Sequence, residues 1–128
     1  MKDILLHLDS YPDPTPQLAI DQAVAFAALF DGRLSAMTVQ VLIRPPSSPL
    51  ANALIGLAAM AAEEQAKSAR CCKDMSAHFE AKAKALGVFE SIVVTQAELP
   101  FVGPQVASYA KTRDACIVPI AKEGDGQR

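Results

Sequence analysis

Short apolar runs alternate with longer amphipathic stretches along the first third of the chain. The run at 4–8 is nearly continuous and stops at Asp9, which is typical of a strand buried in a parallel sheet. From 16 to 30, apolar residues recur every three or four positions, which predicts a helix. Gly32 follows this stretch and is suited to the left-handed cap that ends many helices. The chain therefore begins with a strand, a loop and a helix, and Thr15 before Pro16 is the expected N-cap of that helix.

The same alternation continues to the end of the chain. The predicted elements are a second strand at 34–43, one long proline-free helix at 50–86 closed by Gly87, a third strand at 90–95, a short helix from Pro104 after a loop at 99–103, and a fourth strand at 114–120. Strands that alternate with helices pair in parallel through right-handed crossovers, with helices on both faces of the sheet. We therefore expect a three-layer α/β/α domain over residues 1–120, followed by a flexible polar tail at 121–128.

Composition narrows the class of protein. The 128 residues correspond to one domain, and a hydrophobic content of 51% with 20% charged residues excludes a disordered chain. The net charge is −2, only 5% of residues are aromatic and there is no Trp. A nucleic-acid partner is not expected, because binding one requires a basic patch and often aromatic residues that stack on bases.

Cysteine usage and hydropathy suggest where the chain works. The three cysteines, Cys71, Cys72 and Cys116, are odd in number, and two are adjacent, so a disulfide framework is not expected. The start of the chain lacks the apolar region of a signal peptide, and the longest apolar run, 50–62, falls short of the roughly 20 residues of a membrane span. We expect a reduced, cytoplasmic protein that does not enter a membrane.

Four stretches carry a resemblance to a known family. The first strand with its acid (1–9), the helix end and strand start at 30–34, the second strand around 38–41, and the strand at 114–118 together resemble a universal stress protein domain. The long second helix is similar too, and the pattern is most like the N-terminal half of a tandem bacterial member. The resemblance implies a Rossmann-like fold, of the adenine nucleotide alpha hydrolase type, with five parallel strands in the order 3-2-1-4-5. Only four strands are visible here, so the expected order is 3-2-1-4, and the fifth strand is missing.

The resemblance also implies a nucleotide site at the carboxyl ends of the strands, where the strand order reverses. ATP-binding relatives place an Asp at the end of strand one and a Val at the end of strand two, and these match Asp9 and Val39. With Ser10, they are the candidate cofactor-binding residues. Each has a structural alternative: Asp9 caps its own loop, and Val39 belongs to the core.

The phosphate side of that site departs from the family pattern. The family's Gly-x-x-Gly segment after strand four falls here at Pro119 and Lys122, and Pro119 has no N–H to offer a phosphate. The later segment 123–126 holds two glycines, but its two acids repel a triphosphate. ATP remains a possible ligand, and we expect weak binding or none.

No catalytic constellation is visible. His7 lies in an apolar strand, His78 has no second metal ligand at helical spacing, and the adjacent cysteines lack a nearby base. There is no Gly-x-Ser-x-Gly and no Walker loop. We therefore expect neither an enzyme nor a metal site.

Two classes of function remain, and both fit a universal stress protein-like domain with a stress-response or regulatory role. One is an adenine-nucleotide-binding stress protein; the other is a protein-association module that acts through an exposed sheet edge. A flavodoxin-type module is disfavoured, because the loop after strand one is rich in proline rather than glycine. The fourth strand is apolar and becomes an edge in a four-stranded sheet, so we expect a homodimer or a second domain to cover it.

Overall fold

A computed structural model describes residues 3–11, 13–43 and 51–119, except for the side chains of 51–55 and 57. Strands and helices alternate along these residues. The elements are β1 (Asp3–Leu8), α1 (Gln17–Leu29), β2 (Arg33–Leu42), α2 (Ala51–Ala85), β3 (Phe89–Glu98), α3 (Leu99–Ala110) and β4 (Ala115–Ile117). The tail predicted at 121–128 lies outside the described residues.

The four strands form one parallel sheet in the order β3-β2-β1-β4. This confirms the predicted strand order, in which the direction of the crossover connections reverses between β1 and β4. β1 pairs with β2 along its whole length, from Asp3 opposite Arg33 to Leu8 opposite Thr38. It pairs with β4 over three residues only, so the hydrogen-bonded pairing of β1 is longer on the β2 side than on the β4 side.

The larger of two cores lies between one face of the sheet and the helices α1 and α2. Ile4, Leu6 and Leu8 alternate along β1 and point into this core, as the two-residue period of a strand requires. Ile20 on α1 and Phe79 on α2 are fully buried against them. Two helices therefore cover this face.

Helix α3 covers the opposite face and builds the smaller core. Leu5 of β1, Met37 of β2 and Val106 of α3 are buried together there, with Val39 and Ala97. One described helix faces this side of the sheet, against two on the other side. The sheet is therefore covered unevenly.

Three boundaries in the second half of the chain differ from the sequence-based expectation, and the first is β3, which was expected at 90–95 and covers Phe89–Glu98. The segment 99–103, expected as a loop, is the first part of α3, which follows β3 directly at Glu98. Pro100 occupies the first turn, where a missing N–H costs no hydrogen bond, so the proline initiates the helix rather than preventing it. The fourth strand, expected at 114–120, is limited to Ala115–Ile117 within the described residues.

The ends of α1 also differ from expectation. The residue with positive φ is Asp31, at 53°, and not Gly32. Asp is one of the few residues with a side chain that adopt this conformation readily. At the other end, the N-cap is Pro16, and no side chain caps the helix. Thr15, the expected cap, bonds back towards β1 instead.

One face of α2 packs against the sheet and α1. The side chains that α2 buries are Ala61, Ser68, Cys72, Met75, Phe79 and Ala83. No helix of the described residues is long and apolar enough to cross a membrane.

Replacement of Phe79 by alanine tests this core. Phe79 is fully buried and its ring lies 6.0 Å from that of Phe89. We expect Phe79→Ala to lower the free energy of unfolding by about 3–5 kcal/mol, measured by chemical denaturation. Phe101→Ala removes an exposed ring of the same size and should cost less than about 1 kcal/mol. Equal losses for the two variants would contradict this assignment of the core.

Candidate functional site

The candidate site lies at the carboxyl end of β1, where the strand order reverses between β1 and β4. Ligands of open α/β sheets bind in the crevice at such a point. Asp9 and Ser10 leave β1 there, and Val39 lies on the neighbouring strand β2. The structure thus brings the three predicted residues to one end of the sheet.

Asp9 closes the loop that follows β1. Its main-chain N–H donates to Thr15 Oγ1 over 2.8 Å, and the Thr15 N–H donates to the Asp9 carbonyl over 2.9 Å. This reciprocal pair joins the two ends of a proline-containing loop at 9–15. The main chain of Asp9 therefore has a structural role in closing the loop.

The carboxylate of Asp9 remains accessible. Its side chain is 46% exposed, and Oδ1 lies 3.6 Å from His7 Nε2. Because the structural role uses only the main chain, the carboxylate is left to face a ligand. The ligand-binding role of Asp9 stays a prediction.

Ser10, in contrast, is buried in a chain of hydrogen bonds. Its hydroxyl lies 2.6 Å from the Val39 carbonyl, to which it donates, and 2.7 Å from Ser68 Oγ. Ser68 in turn accepts the Val41 N–H over 3.0 Å. Each hydroxyl has one proton, so Ser68 donates to Ser10 and Ser10 donates to Val39. The chain joins β1, β2 and α2 and occupies the proton that Ser10 could offer to a ligand.

Val39 is a core residue in this arrangement. It is buried beside Leu5, Ala97 and Val106, and its carbonyl accepts from Ser10. Because Val39 packs against α3, the adenine base of a nucleotide in the crevice would contact its side chain only if α3 moved away from the sheet. Its predicted contact with a cofactor stays a prediction, and its packing supports the structural alternative.

Ser68 and Thr38 were not identified from the sequence. Ser68 is buried on α2, and Thr38 Oγ1 donates to the Leu8 carbonyl over 3.0 Å and lies 3.2 Å from Cys72 Sγ. The available signal was their position: a lone serine near the buried face of α2, and a threonine one residue before Val39. Both side chains hold α2 against the ends of β1 and β2.

His7 lies beside Asp9 on the same edge of the crevice. It is buried, on the face of the sheet that it shares with Leu5. Burial lowers the pKa of His7 below its ordinary value of 6.5, and the negative charge of Asp9 opposes this shift without reversing it. His7 is therefore neutral in the folded protein at neutral pH.

The described residues contain no group of three potential ligands close enough to hold a metal ion. His78 pairs instead with Asp21, with Nε2 and Oδ1 2.7 Å apart, and so links α2 to α1. On the phosphate side of the predicted pocket, Lys122 and the segment 123–126 lie outside the described residues. Pro119 is described, and it lines a cavity next to α1.

That cavity, of about 380 Å³, does not lie over Asp9. It is formed between α1 and the end of β4 by Ala19, Gln22, Ala23, Phe26, Ile117 and Pro119. We call it the α1–β4 groove. This cavity thus lies at the sheet edge, and a smaller one of about 210 Å³ lies beside the β1–α1 loop, where Thr15 and Pro16 face Met75 and His78.

The comparisons with known proteins agree on the architecture. The chain is similar to the universal stress protein UspA from Lactobacillus plantarum, with 17% identity, a TM-score of 0.61, and coverage of 99% of this chain and 82% of that one. It is also similar to a protein from the universal stress protein family from Burkholderia pseudomallei, with 17% identity, a TM-score of 0.58, and coverage of 93% and 81%. The chain has the universal stress protein fold. No family model and no curated protein sequence matches it, so the likeness is one of fold.

The lowered pKa of His7 predicts how stability depends on pH. A histidine with a folded pKa below its unfolded value binds fewer protons when folded, so stability is lost as the pH falls through 6.5 towards the folded pKa. We expect the free energy of unfolding of the wild type to fall more between pH 7.5 and 5 than that of His7→Gln. Urea denaturation at several pH values measures both. Parallel profiles would show that His7 does not contribute.

Proposed function

We propose that this chain is a stress-response or regulatory domain that acts in the cytoplasm by associating with another polypeptide along β4. The observation that carries the proposal is the open, apolar edge of that strand. The names of the structural neighbours suggest the stress-response role. The degenerate phosphate side, with Pro119 in place of a glycine, disfavours tight nucleotide binding.

The edge of β4 is short and is followed by Pro119, but it lacks the charged side chains that commonly protect an edge strand. Within the described residues, β4 pairs with β1 alone, and Ala115, Cys116 and Val118 are exposed. None of these side chains is charged. Uncharged apolar edges recruit a further strand, because main-chain donors and acceptors remain available along them.

The α1–β4 groove extends the same surface. A strand added beside β4 would place every second side chain on the α1 side, next to Ile117 and Phe26. Phe26 is half-exposed, and its ring lies 4.8 Å from that of Phe30. Main-chain hydrogen bonds would supply affinity, and the groove would supply selectivity for an apolar side chain.

The other edge of the sheet differs in character. β3 carries two acids, Glu90 and Glu98, among its ten residues. Charges of this kind discourage strand pairing. The contrast between the two edges supports β4 as the side for association, with a second copy of the chain or a second domain as its partner.

Adenine-nucleotide binding is the second candidate function, and the half-exposed carboxylate of Asp9 at the strand reversal favours it. Asp9 would contact the base or ribose, while Ser10 and Val39 would be held in place by the hydrogen bonds described above. A nucleotide bound this way would lack the cradle of N–H groups that phosphates require.

Calorimetric titration with ATP and magnesium at neutral pH tests which candidate holds. We expect no binding, or binding weaker than about 100 µM, because Pro119 removes an N–H from the phosphate side. Any residual binding should weaken further in Asp9→Asn. A micromolar dissociation constant that Asp9→Asn abolishes would favour the nucleotide function instead.

Charge substitution on each edge tests the association. We expect the wild type to sediment at micromolar concentration as a species of about twice 13.6 kDa, and Val118→Lys to sediment as a monomer. Val94→Lys on β3 is the matched control, because Val94 is 49% exposed and Val118 is 50% exposed. Ile117→Lys is less informative, because Ile117 also packs against the larger core. A wild type that remains monomeric, or dissociation by both lysines alike, would contradict the role of β4.

A further inference from the structure

The outward face of α1 is apolar where a surface helix is normally polar. Leu29 is 82% exposed and Leu18 is 67% exposed, and no other large apolar side chain of the described residues is more exposed than these two. The one charged residue of α1, Asp21, is directed to His78 on α2. The fold therefore leaves most of each leucine uncovered, and α1 places no other charged residue beside them.

The exposed residues of this face have a regular spacing. Leu18, Gln22, Ala25 and Leu29 are all exposed and are separated by four, three and four positions. This is the spacing of the contact seam between two packed helices. We call these four residues the α1 seam. It ends in leucines and has small or uncharged residues at its centre, which permits close approach.

The α1 seam is complementary to itself under a two-fold rotation. When two copies pack antiparallel, Leu18 lies opposite Leu29 of the partner subunit, and Gln22 lies opposite Ala25 of the partner subunit. A surface that matches itself in this way is suited to an isologous contact. We propose that the α1 seam is a second interface, which packs antiparallel against α1 of a second copy of this chain.

Charge at the helix ends favours the same arrangement. The N-terminus of α1 has no side-chain cap and no acid in its first turn. Asp31 is exposed just beyond the C-terminus. In the antiparallel register, Asp31 of the partner subunit is level with Pro16, where the positive end of the helix dipole attracts an anion. The pairing thus supplies, twice, a favourable charge that the single chain lacks.

Other occupants fit this face less well. A membrane surface is bound by apolar helix faces flanked by Lys or Arg, and α1 contains neither. The tail at 121–128 is polar and could not cover two leucines. A second copy supplies both the apolar surface and the acid.

The α1 seam adjoins the α1–β4 groove, since Gln22 belongs to both, but the two leucines of the seam do not line the groove. Leu29 lies about 60° around the helix from Phe26, which lines the groove. The inference therefore does not depend on association through β4. The contact spans twelve residues, or about 17 Å of helix, so we expect weak association that is detected at high concentration or by trapping.

Disulfide trapping tests the antiparallel register. One chain carries Gln22→Cys and the other carries Ala25→Cys, both with Val118→Lys to disable the β4 edge and Cys116→Ser to remove an exposed thiol. We expect oxidation of the mixture to yield a covalent heterodimer joining 22 to 25, several-fold faster than either chain forms a homodimer. A dominant 22–22 homodimer would show parallel packing, and no cross-link above the rate of random collision would show that the seam is not an interface. Either result overturns the proposal.

Charge variants give an independent readout by sedimentation at high concentration in the same Val118→Lys background. We expect Leu29→Glu to weaken association at least tenfold and Asp31→Asn to weaken it about threefold, the latter effect disappearing in 1 M salt. Leu86→Glu, which alters an exposed leucine at the end of α2, is the matched control and should change nothing. Equal effects of Leu29→Glu and Leu86→Glu would contradict the seam. Because Val118 is already replaced, failure here leaves the β4 proposal intact, and failure there leaves this one intact.

Discussion

A parallel sheet is stable only when both of its faces are buried. This constraint determines which parts of the sheet the described helices leave uncovered. α1 and α2 cover one face of the sheet, and α3 builds a smaller core on the other. β1 is central and almost entirely buried, whereas β4 joins it through three residue pairs. Stability is therefore concentrated at β1 and β2 and declines towards β4. The apolar groove and the open strand edge both lie on that weaker side.

The polar groups at the carboxyl end of the sheet show a competition between fold and ligand. A series of hydrogen bonds runs from the Val41 N–H through the hydroxyls of Ser68 and Ser10 to the Val39 carbonyl. It satisfies polar groups that would otherwise be buried without partners. An unmade hydrogen bond in such a place costs about 1–3 kcal/mol. A ligand that recruited Ser10 would have to replace that bond, whereas one that recruited only the Asp9 carboxylate would not. The crevice is therefore open to a ligand at Asp9 and closed at Ser10 and Val39.

The architecture could be predicted from the sequence because it depends on periodicity. The nearly continuous apolar run of β1 and the three-to-four-residue period of α1 are strong signals, and the alternation of strands and helices leaves few parallel topologies. The start of α3 could not be predicted in the same way, because Pro100 suits a loop and the first turn of a helix equally. The prediction that Gly32 adopts the left-handed conformation was wrong. Asp31 adopts it instead, because both residue types tolerate that conformation.

The site was harder to predict, since it depends on contacts between distant residues. Ser68 lies 58 positions from Ser10, and only the packing of α2 on the sheet brings the two hydroxyls together. A single serine in an amphipathic helix carries no signal of burial on its own. Asp9 was identifiable because the resemblance to universal stress proteins implies the strand order, and Asp9 follows β1 at the point where that order reverses.

The exposed apolar side chains lead to the last step of the argument. Four of the eleven that are exposed among the described residues, Leu18, Phe26, Leu29 and Phe30, belong to α1 or its cap, and Val118 follows β4, whereas the other six are spread over α2 and its C-terminal end, β3 and α3. Isolated exposed leucines are ordinary on protein surfaces, but a cluster on one helix and one strand edge indicates a surface that is covered in use. In the candidate nucleotide crevice, by contrast, the Ser10 hydroxyl and the Val39 carbonyl are already bonded within the chain, and the Asp9 carboxylate is the accessible polar group. The chemistry of this domain is thus better suited to contact with another polypeptide than to holding a phosphate.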